Sequence, residues 1–489
     1  VKIIEYIFDN LNKAFVFALL IFLIWLIPAI VLRVGYTIGL AVSVAPLAFL
    51  LVLTLLDKPY LSFLMLFSIN YFVSGATRYI SYPPGIAMDV VFLLVLIVFV
   101  LQSFRSHSQV KLADAANPLT GLAFAWLVYC LFQFFNPGLS SPIAWLINVR
   151  GIGIYFFLVV TLGAMYMRKY KNLKQIMNLW AVFCLIAVLK AFIQETFGFD
   201  PFEQRWLAAG GARTHIIHTG IRYFSIFTDA GNFGSGIALS SVAFAIAAFH
   251  YKTEKIKYFY FFVAAACAYG MIISGTRGSL VIPFSGLTLY TVLSKNVRAI
   301  VITFLFLGIG FWFLNFTYIG HGNIYIRRMR SAFNPDDASL GVRLENQAIL
   351  RTYMAGRPLG VGIGMKRGNA ELYVPHPVLS KIPHDSWYVL LWVELGIVGM
   401  IFYIFILLYI LAYGGFLVMF VLKDTELRGI VAGLVCALFG VSVAAYSLEI
   451  FGQFPNSIII YVCMTLIFLS PMYDRELEEE QKKKLLENR

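Results

Sequence analysis

Apolar runs long enough to cross a hydrocarbon layer recur along almost the whole chain, and no other feature limits the possible folds as strongly. A spanning helix needs roughly 20 consecutive apolar residues, somewhat fewer where flanking side chains reach the interface. About fourteen stretches meet that requirement, near residues 14–32, 37–56, 60–76, 86–102, 118–135, 150–167, 175–193, 232–250, 257–273, 279–294, 299–315, 386–412, 429–447 and 456–470. Only 13% of residues are charged and 60% are hydrophobic, against roughly 25% charged in soluble domains. A water-soluble fold is excluded. Because backbone groups in hydrocarbon must be satisfied internally, the expected fold is an all-α polytopic integral membrane protein with large loops at 194–231 and 316–385. The start VKIIEYIFDN carries charges and leads into a spanning run, so it does not read as a secretory peptide.

Orientation follows from the short loops. Arg168, Lys169, Lys171 and Lys174 cluster in one, Lys252, Lys255 and Lys257 in another, and Lys482 to Lys484 in the tail. These ends are expected in the cytoplasm, with both termini, and the two long loops on the opposite side. The net charge of +13 is thereby explained by membrane topology and calls for no nucleic-acid partner. The opposite side carries few lysines but many arginines, among them Arg78, Arg150, Arg222, Arg277, Arg328, Arg330, Arg343, Arg351 and Arg357. Arginine's planar fork of donors stays charged and suits bidentate recognition of phosphate or carboxylate. An anionic ligand is therefore expected there, with some arginines paired to acids or lipid headgroups instead.

Four segments on that side carry the candidate chemistry. The first runs from Ile221-Arg222-Tyr223-Phe224 to Thr228-Asp229-Ala230-Gly231 ahead of an apolar helix, and the second is Ser274-Gly275-Thr276-Arg277-Gly278 between two spans. The third extends from Gly341-Val342-Arg343 through Arg351 to Arg357-Pro358-Leu359-Gly360-Val361-Gly362-Ile363-Gly364. If 342–354 is helical, Arg343, Gln347 and Arg351 share one stripe. Gly360, Gly362 and Gly364 do not follow a strand and open a helix, so a dinucleotide site is rejected. The fourth is Pro383-His384-Asp385-Ser386-Trp387-Tyr388, leading to Val393-Glu394-Leu395-Gly396. His384 sits where a polar loop meets the membrane, and a histidine there can accept a proton from a sugar hydroxyl near neutral pH. The high aromatic content reads mostly as lipid-facing bulk and interfacial belt, though Trp387 and Tyr388 could stack on a sugar.

In this order these segments resemble the O-antigen ligase and polymerase superfamily over roughly residues 215–412, most specifically from Arg343 to Gly399. The family usually has Asn after the histidine where this chain has Asp385. The resemblance implies a GT-C-like, metal-independent and inverting glycosyltransferase of the bacterial inner membrane with no cofactor. Its donor would be a glycan on polyprenyl (undecaprenyl) pyrophosphate. Its acceptor would be lipid A-core for a ligase, or a second lipid-linked glycan for a polymerase, with a chain-length-determining copolymerase as a further partner and protein acceptors as a weaker option. Carried over, His384 would be the base, Arg222 and Arg277 would grip the pyrophosphate, and Arg343 would line the site. Arg351, Asp385, Trp387 and Tyr388 are further substrate-binding candidates. The chain then divides into N-terminal helices (1–193), a catalytic region with periplasmic loops (194–412), and C-terminal helices with a cytoplasmic tail (413–489).

Other residues are assigned blander roles. Asp336-Asp337 lacks the alternate spacing of a metal-binding acidic pair. His215, His218, His321 and His376 are expected at the surface, and the five cysteines read as small buried hydrophobes. Asp89, Lys190, Glu394 and Glu449 lie in or beside apolar runs, where ionisable residues are functional candidates by default, so a proton-coupled transporter is the alternative from another class. No inverted repeat or pair of broken helices is evident in the sequence.

Overall fold

A computed structural model describes residues 50–80, 82–104, 110–217, 220–295, 297–331, 338–365, 379 and 381–487. The expected span at 14–32, most of that at 37–56, and Arg33, His218, Asp336, Asp337, Lys366, Arg367 and His376 lie outside these residues. The described chain is helical almost throughout: α1 (Tyr60–Ala76), α2 (Pro84–Ser103), α3 (Pro118–Phe132), α4 (Pro142–Tyr166), α5 (Tyr170–Phe197), α6 (Ala230–His250) and α7 (Glu254–Ile273) are followed by α8 (Val281–Leu293), α9 (Val297–Phe316), α10 (Ala338–Met354), α11 (Trp387–Phe416), α12 (Thr425–Ala444) and α13 (Asn456–Glu487). Among the described residues nine helices are long and apolar enough to cross a membrane, and α1 is a shorter apolar helix. This is the architecture of a multi-pass membrane protein.

Helix boundaries depart from the apolar runs where capping chemistry sets them. Ser141 accepts the Ala144 N–H (3.2 Å) ahead of Pro142, so α4 begins well before residue 150. α13 continues through the charged segment after residue 470 to Glu487. α8 has only 13 residues, preceded by a 3₁₀ turn at Arg277–Leu280, so the run at 279–294 is shorter as a helix than the expected span.

The main core is a large cluster from Phe63 to Tyr473, with smaller ones around Leu350 and Val393 and around Leu207 and Phe224. α6, α12 and α13 are its central helices, whereas α2 and α3 turn most of their surface outward. Outward-facing side chains such as Leu93, Ile97, Phe304, Phe306 and Leu408 are exposed and apolar, as lipid-facing positions must be. Close helix approach rests on small residues. A Cβ on Gly433 would lie 2.6 Å from the Ala243 carbonyl oxygen, and one on Gly286 2.7 Å from that of Cys436.

The two ends of the bundle differ chemically. At one end, ion pairs join the turns that carry lysine: Arg168 to Asp114, Lys174 to Glu426 (2.7 Å), Lys252 to Asp424 (2.5 Å) and Lys423 to Glu478 (2.8 Å). Buried Glu426 also accepts from the Tyr170 hydroxyl (2.9 Å) and the Lys252 N–H (3.1 Å). At the other end lie the α1–α2 turn, the long α5–α6 connection, the α7–α8 turn, the α12–α13 turn and the start of α11, tied together by Arg78, Arg222, Asn232 and Ser386. Glu426→Ala strands two donors and a lysine, and each buried donor left unsatisfied costs roughly 1–3 kcal/mol. The expected result is a clear fall in the thermal midpoint of the detergent-solubilised protein, with no change for Lys423→Ala at its exposed pair; equal midpoints for Glu426→Ala and the parent would contradict this.

Candidate functional site

The arginine-rich end is built on a folded α5–α6 connection. Asp200 caps the short helix Pro201–Trp206, accepting from the Phe202 and Glu203 N–H groups (2.9 Å each), and receives Lys190 (2.9 Å) and the Tyr79 hydroxyl (2.6 Å). Burial alone would raise its pKa, but these donors hold it down at about 2. Lys190 also reaches Glu203 (3.0 Å), so it is spent on this fold. Arg78 clamps the turn before α6: Nη1 donates to the Ser225 carbonyl (2.7 Å), Nη2 to that of Phe227, and the guanidinium lies over the rings of Phe224 and Trp206. Burial lowers its pKa to about 10, and at neutral pH it remains a structural cation. His215 is buried, not at the surface as expected. Its Nδ1 meets the Gly211 carbonyl (2.8 Å) and its Nε2 accepts the Ala230 N–H (3.1 Å), which makes it part of the α6 N-cap beside Asp229. Burial pushes its pKa down, as an accepting, neutral imidazole requires.

On this platform stand Arg222 and Arg277. Arg222 follows a two-residue hairpin in which Ile216 pairs with Ile221. Its Nη1 donates to the Thr214 carbonyl (3.1 Å) and its Nη2 to the Thr276 hydroxyl (3.0 Å), which brings the first two candidate segments together. Burial lowers the Arg222 pKa and the charge of Arg277 lowers it further, while Asp229 opposes both. Two neighbouring guanidiniums that repel each other are a place where an anion gains twice. Arg277 Nη1 reaches Ser331 (3.1 Å). Arg328, on the short helix Ile324–Arg330, joins them: a Cβ on Gly275 (φ +60°) would lie 3.4 Å from Arg222 Cγ and 3.3 Å from Arg328 Cδ.

His384 precedes α11 and is buried, and among the described residues neither of its ring nitrogens has a hydrogen-bond partner. Burial moves its pKa from 6.5 to about 4, so the ring is a neutral acceptor. Asp385 is exposed with φ +46°, a left-handed conformation that Asn and Asp adopt more readily than other L residues. Ser386 caps α11 through the Val389 N–H (3.4 Å). Trp387 is buried, and the Tyr388 hydroxyl is tied to the Ser442 carbonyl (2.6 Å), which makes Tyr388 a brace between α11 and α12.

A cavity of about 610 Å³ opens at this end, touching Thr228 and Trp387; His384, Arg222 and Arg277 are not among its lining residues. The first turns of α2 (Pro84, Gly85), α11 (Trp387, Leu390) and α13 (Ser457) line it, as does Arg150. Three helix N-termini facing one space favour negative charge there. Arg150 sits in a π turn of α4 and pairs with Asp89, which also accepts from the Tyr155 hydroxyl (2.6 Å).

The glycine loop packs into a break in α11. Gly396 has φ +71°, ψ −177°, which releases backbone groups inside a span. The loop supplies the partners: Val361 N–H donates to the Val393 carbonyl (2.9 Å), Gly362 N–H to that of Glu394 (3.0 Å), and Val398 N–H to the Pro358 carbonyl (3.3 Å). Glu394 Oε1 in turn accepts from the Gly364 (3.0 Å) and Met365 (2.7 Å) N–H groups, while the Tyr129 hydroxyl takes the Leu395 carbonyl (2.8 Å). A Cβ on Gly360 would lie 2.5 Å from the Glu394 carbonyl oxygen.

Arg343, Gln347 and Arg351 do lie on a helix, α10, which packs on α11 through Leu350, Met354 and Val389. Among the described residues no hydrogen bond or ion pair joins Arg343 or Arg351 to Arg222, Arg277 or His384. Nor do three or more His, Cys, Asp or Glu side chains gather there as a metal's ligands would. Sequence reasoning missed the cavity, the broken helix and the capping role of His215. The Pro-led helix starts at Pro84 and after Pro455 were visible signals for the first. No protein-family model matches the chain, and no curated protein is significantly similar to it.

Gly396→Ala and Gly360→Ala are expected to abolish the folded, monodisperse species in size-exclusion chromatography. Asp385→Asn is expected to leave the thermal midpoint in place, whereas Asp385→Val costs roughly 1–3 kcal/mol for its left-handed backbone; a Val variant as stable as Asn would contradict the backbone account.

Proposed function

We propose that the protein is a membrane glycosyltransferase of the O-antigen ligase and polymerase type, acting on a glycan carried by polyprenyl pyrophosphate at the periplasmic face of a bacterial inner membrane. The observation that carries the reading is His384: a buried, neutral imidazole with both nitrogens unpartnered among the described residues, at the arginine-rich end of the bundle. Leaving such a group unpaired costs stability, which is offset when a substrate hydroxyl completes it. The acceptor hydroxyl gives its proton to a His384 ring nitrogen as its oxygen bonds the anomeric carbon. The bond from that carbon to the carrier oxygen breaks on the opposite side, inverting the centre, and its electron pair stays on the pyrophosphate. Arg222 and Arg277 stabilise that charge, at about 1.5–3 kcal/mol for each charge-assisted bond. The cavity lined by Thr228, Trp387 and Arg150 offers room for sugar, and Arg343 and Arg351, on α10, are further substrate-binding candidates.

One observation favours the alternative, a proton-coupled transporter of lipid-linked glycan: α11 is broken at Gly396, as helices at transport sites often are. Against it, Asp89, Lys190 and Glu394 are each held by partners that build the fold. Transport of labelled lipid-linked glycan that depends on a proton gradient in proteoliposomes would favour it; gradient-independent product formation would remove it.

His384→Ala is expected to abolish transfer with donor binding retained, whereas Arg222→Ala and Arg277→Ala weaken donor binding and Lys does not restore it. Full activity of His384→Ala would remove the proposed base. A chelator is expected to leave turnover unchanged. The pH profile is equally diagnostic. Because the folded-state pKa is depressed, His384 stays unprotonated as pH falls below 6.5, and the acid limb of kcat/KM belongs near 4. Over the same window the unfolded chain takes up a proton that the folded chain does not, so stability declines from pH 6.5 towards 4. An acid limb centred near 6.5 would contradict a desolvated base.

A further inference from the structure

A second cavity, of about 680 Å³, opens at the opposite, lysine-bearing end of the bundle, between the start of α1 and the α4–α5 turn. Lys58, Arg168, Lys169 and Lys171 line it. One carboxylate, Asp114, shares the space and pairs with Arg168, which leaves the three lysines in excess. α1 and α5 both begin at this cavity, at Tyr60 and Tyr170; the Tyr170 N–H is taken by the Glu476 carboxylate (2.8 Å), whereas the α1 start has no side-chain cap. The positive end of the 17-residue α1 therefore adds to the lysines. Apart from Asn172, the rest of the wall is apolar and aromatic, with Tyr60, Tyr166, Met165 and Met472. A free inorganic anion would use the cations and waste this wall, whereas an anion attached to an acyl chain would use both.

We propose that this cavity binds the phosphate headgroup of an anionic phospholipid, with the glycerol and upper acyl chain against the Tyr60, Tyr166 and methionine surface. Basic pockets between spanning helices recognise headgroups in this way. The site lies at the far end of the bundle from His384 and stands whether or not the protein transfers glycans.

The test is native mass spectrometry of the full-length protein released from nanodiscs of phosphatidylcholine with and without phosphatidylglycerol. One phosphatidylglycerol is expected to survive on the parent protein and on Lys171→Arg. Occupancy is expected to fall at least about tenfold in the K58Q/K169Q/K171Q variant, since each lysine near a headgroup contributes substantially to binding. K482Q/K483Q/K484Q, which removes the same charge from the α13 tail, is expected to behave as the parent. The helical circular dichroism spectrum checks that each variant is folded. Undiminished occupancy in K58Q/K169Q/K171Q, equal loss in the tail variant, or equal retention of phosphatidylcholine would overturn the proposal. Displacement of the lipid by millimolar inorganic phosphate would assign the cations to a free phosphate and overturn the lipid assignment.

Discussion

Hydrocarbon offers no hydrogen bonds, so a helix that breaks inside a span must find partners for every backbone group it releases. α11 breaks at Gly396, and the Pro358–Gly364 loop satisfies it almost as an added strand would. The placement of the glycine loop depends on that exchange. It fixes the loop from α10 against the helix that follows His384, and it draws Glu394 into use as an acceptor for two loop N–H groups. Gly360 and Gly396 meet backbone to backbone, which no side chain at either position would permit.

The arginines separate by partner. Arg78 binds backbone carbonyls and two aromatic rings, Arg150 pairs with Asp89, and Arg330 donates to the Phe313 and Ile319 carbonyls. These hold turns and helix ends in place. Arg222 and Arg277, by contrast, stand close enough to repel each other, with Arg328 crossing the same turn. On the proposed reading, the anionic substrate relieves that repulsion.

Much of this was legible in the residues. Hydropathy located the helical segments because the solvent constraint acts on composition directly, and the lysine turns do gather at one end. The helical stripe of Arg343, Gln347 and Arg351 and the joining of Arg222 to the Thr276-Arg277 turn were also within reach. Other features were hidden because they depend on tertiary partners. A glycine in an apolar run looks the same whether the helix continues or, as at Gly396, breaks onto a loop. His215 looked like a loop histidine because nothing local shows that its Nε2 meets the Ala230 N–H fifteen residues later. Lys190 and Asp89 looked like intramembrane functional charges until Asp200, Glu203 and Arg150 came beside them.

The central claim is the transfer of a glycan from a lipid pyrophosphate, and reconstitution with a defined donor tests it most directly. Purified protein in nanodiscs would receive a polyprenyl-pyrophosphate glycan with lipid A-core or with no added acceptor, and products would be resolved by gel and mass. The account predicts glycan transfer with release of the polyprenyl pyrophosphate: a single adduct on lipid A-core for a ligase, or a ladder of repeats without added acceptor for a polymerase. An intact donor in both reactions, with the protein folded and the donor bound, would contradict it.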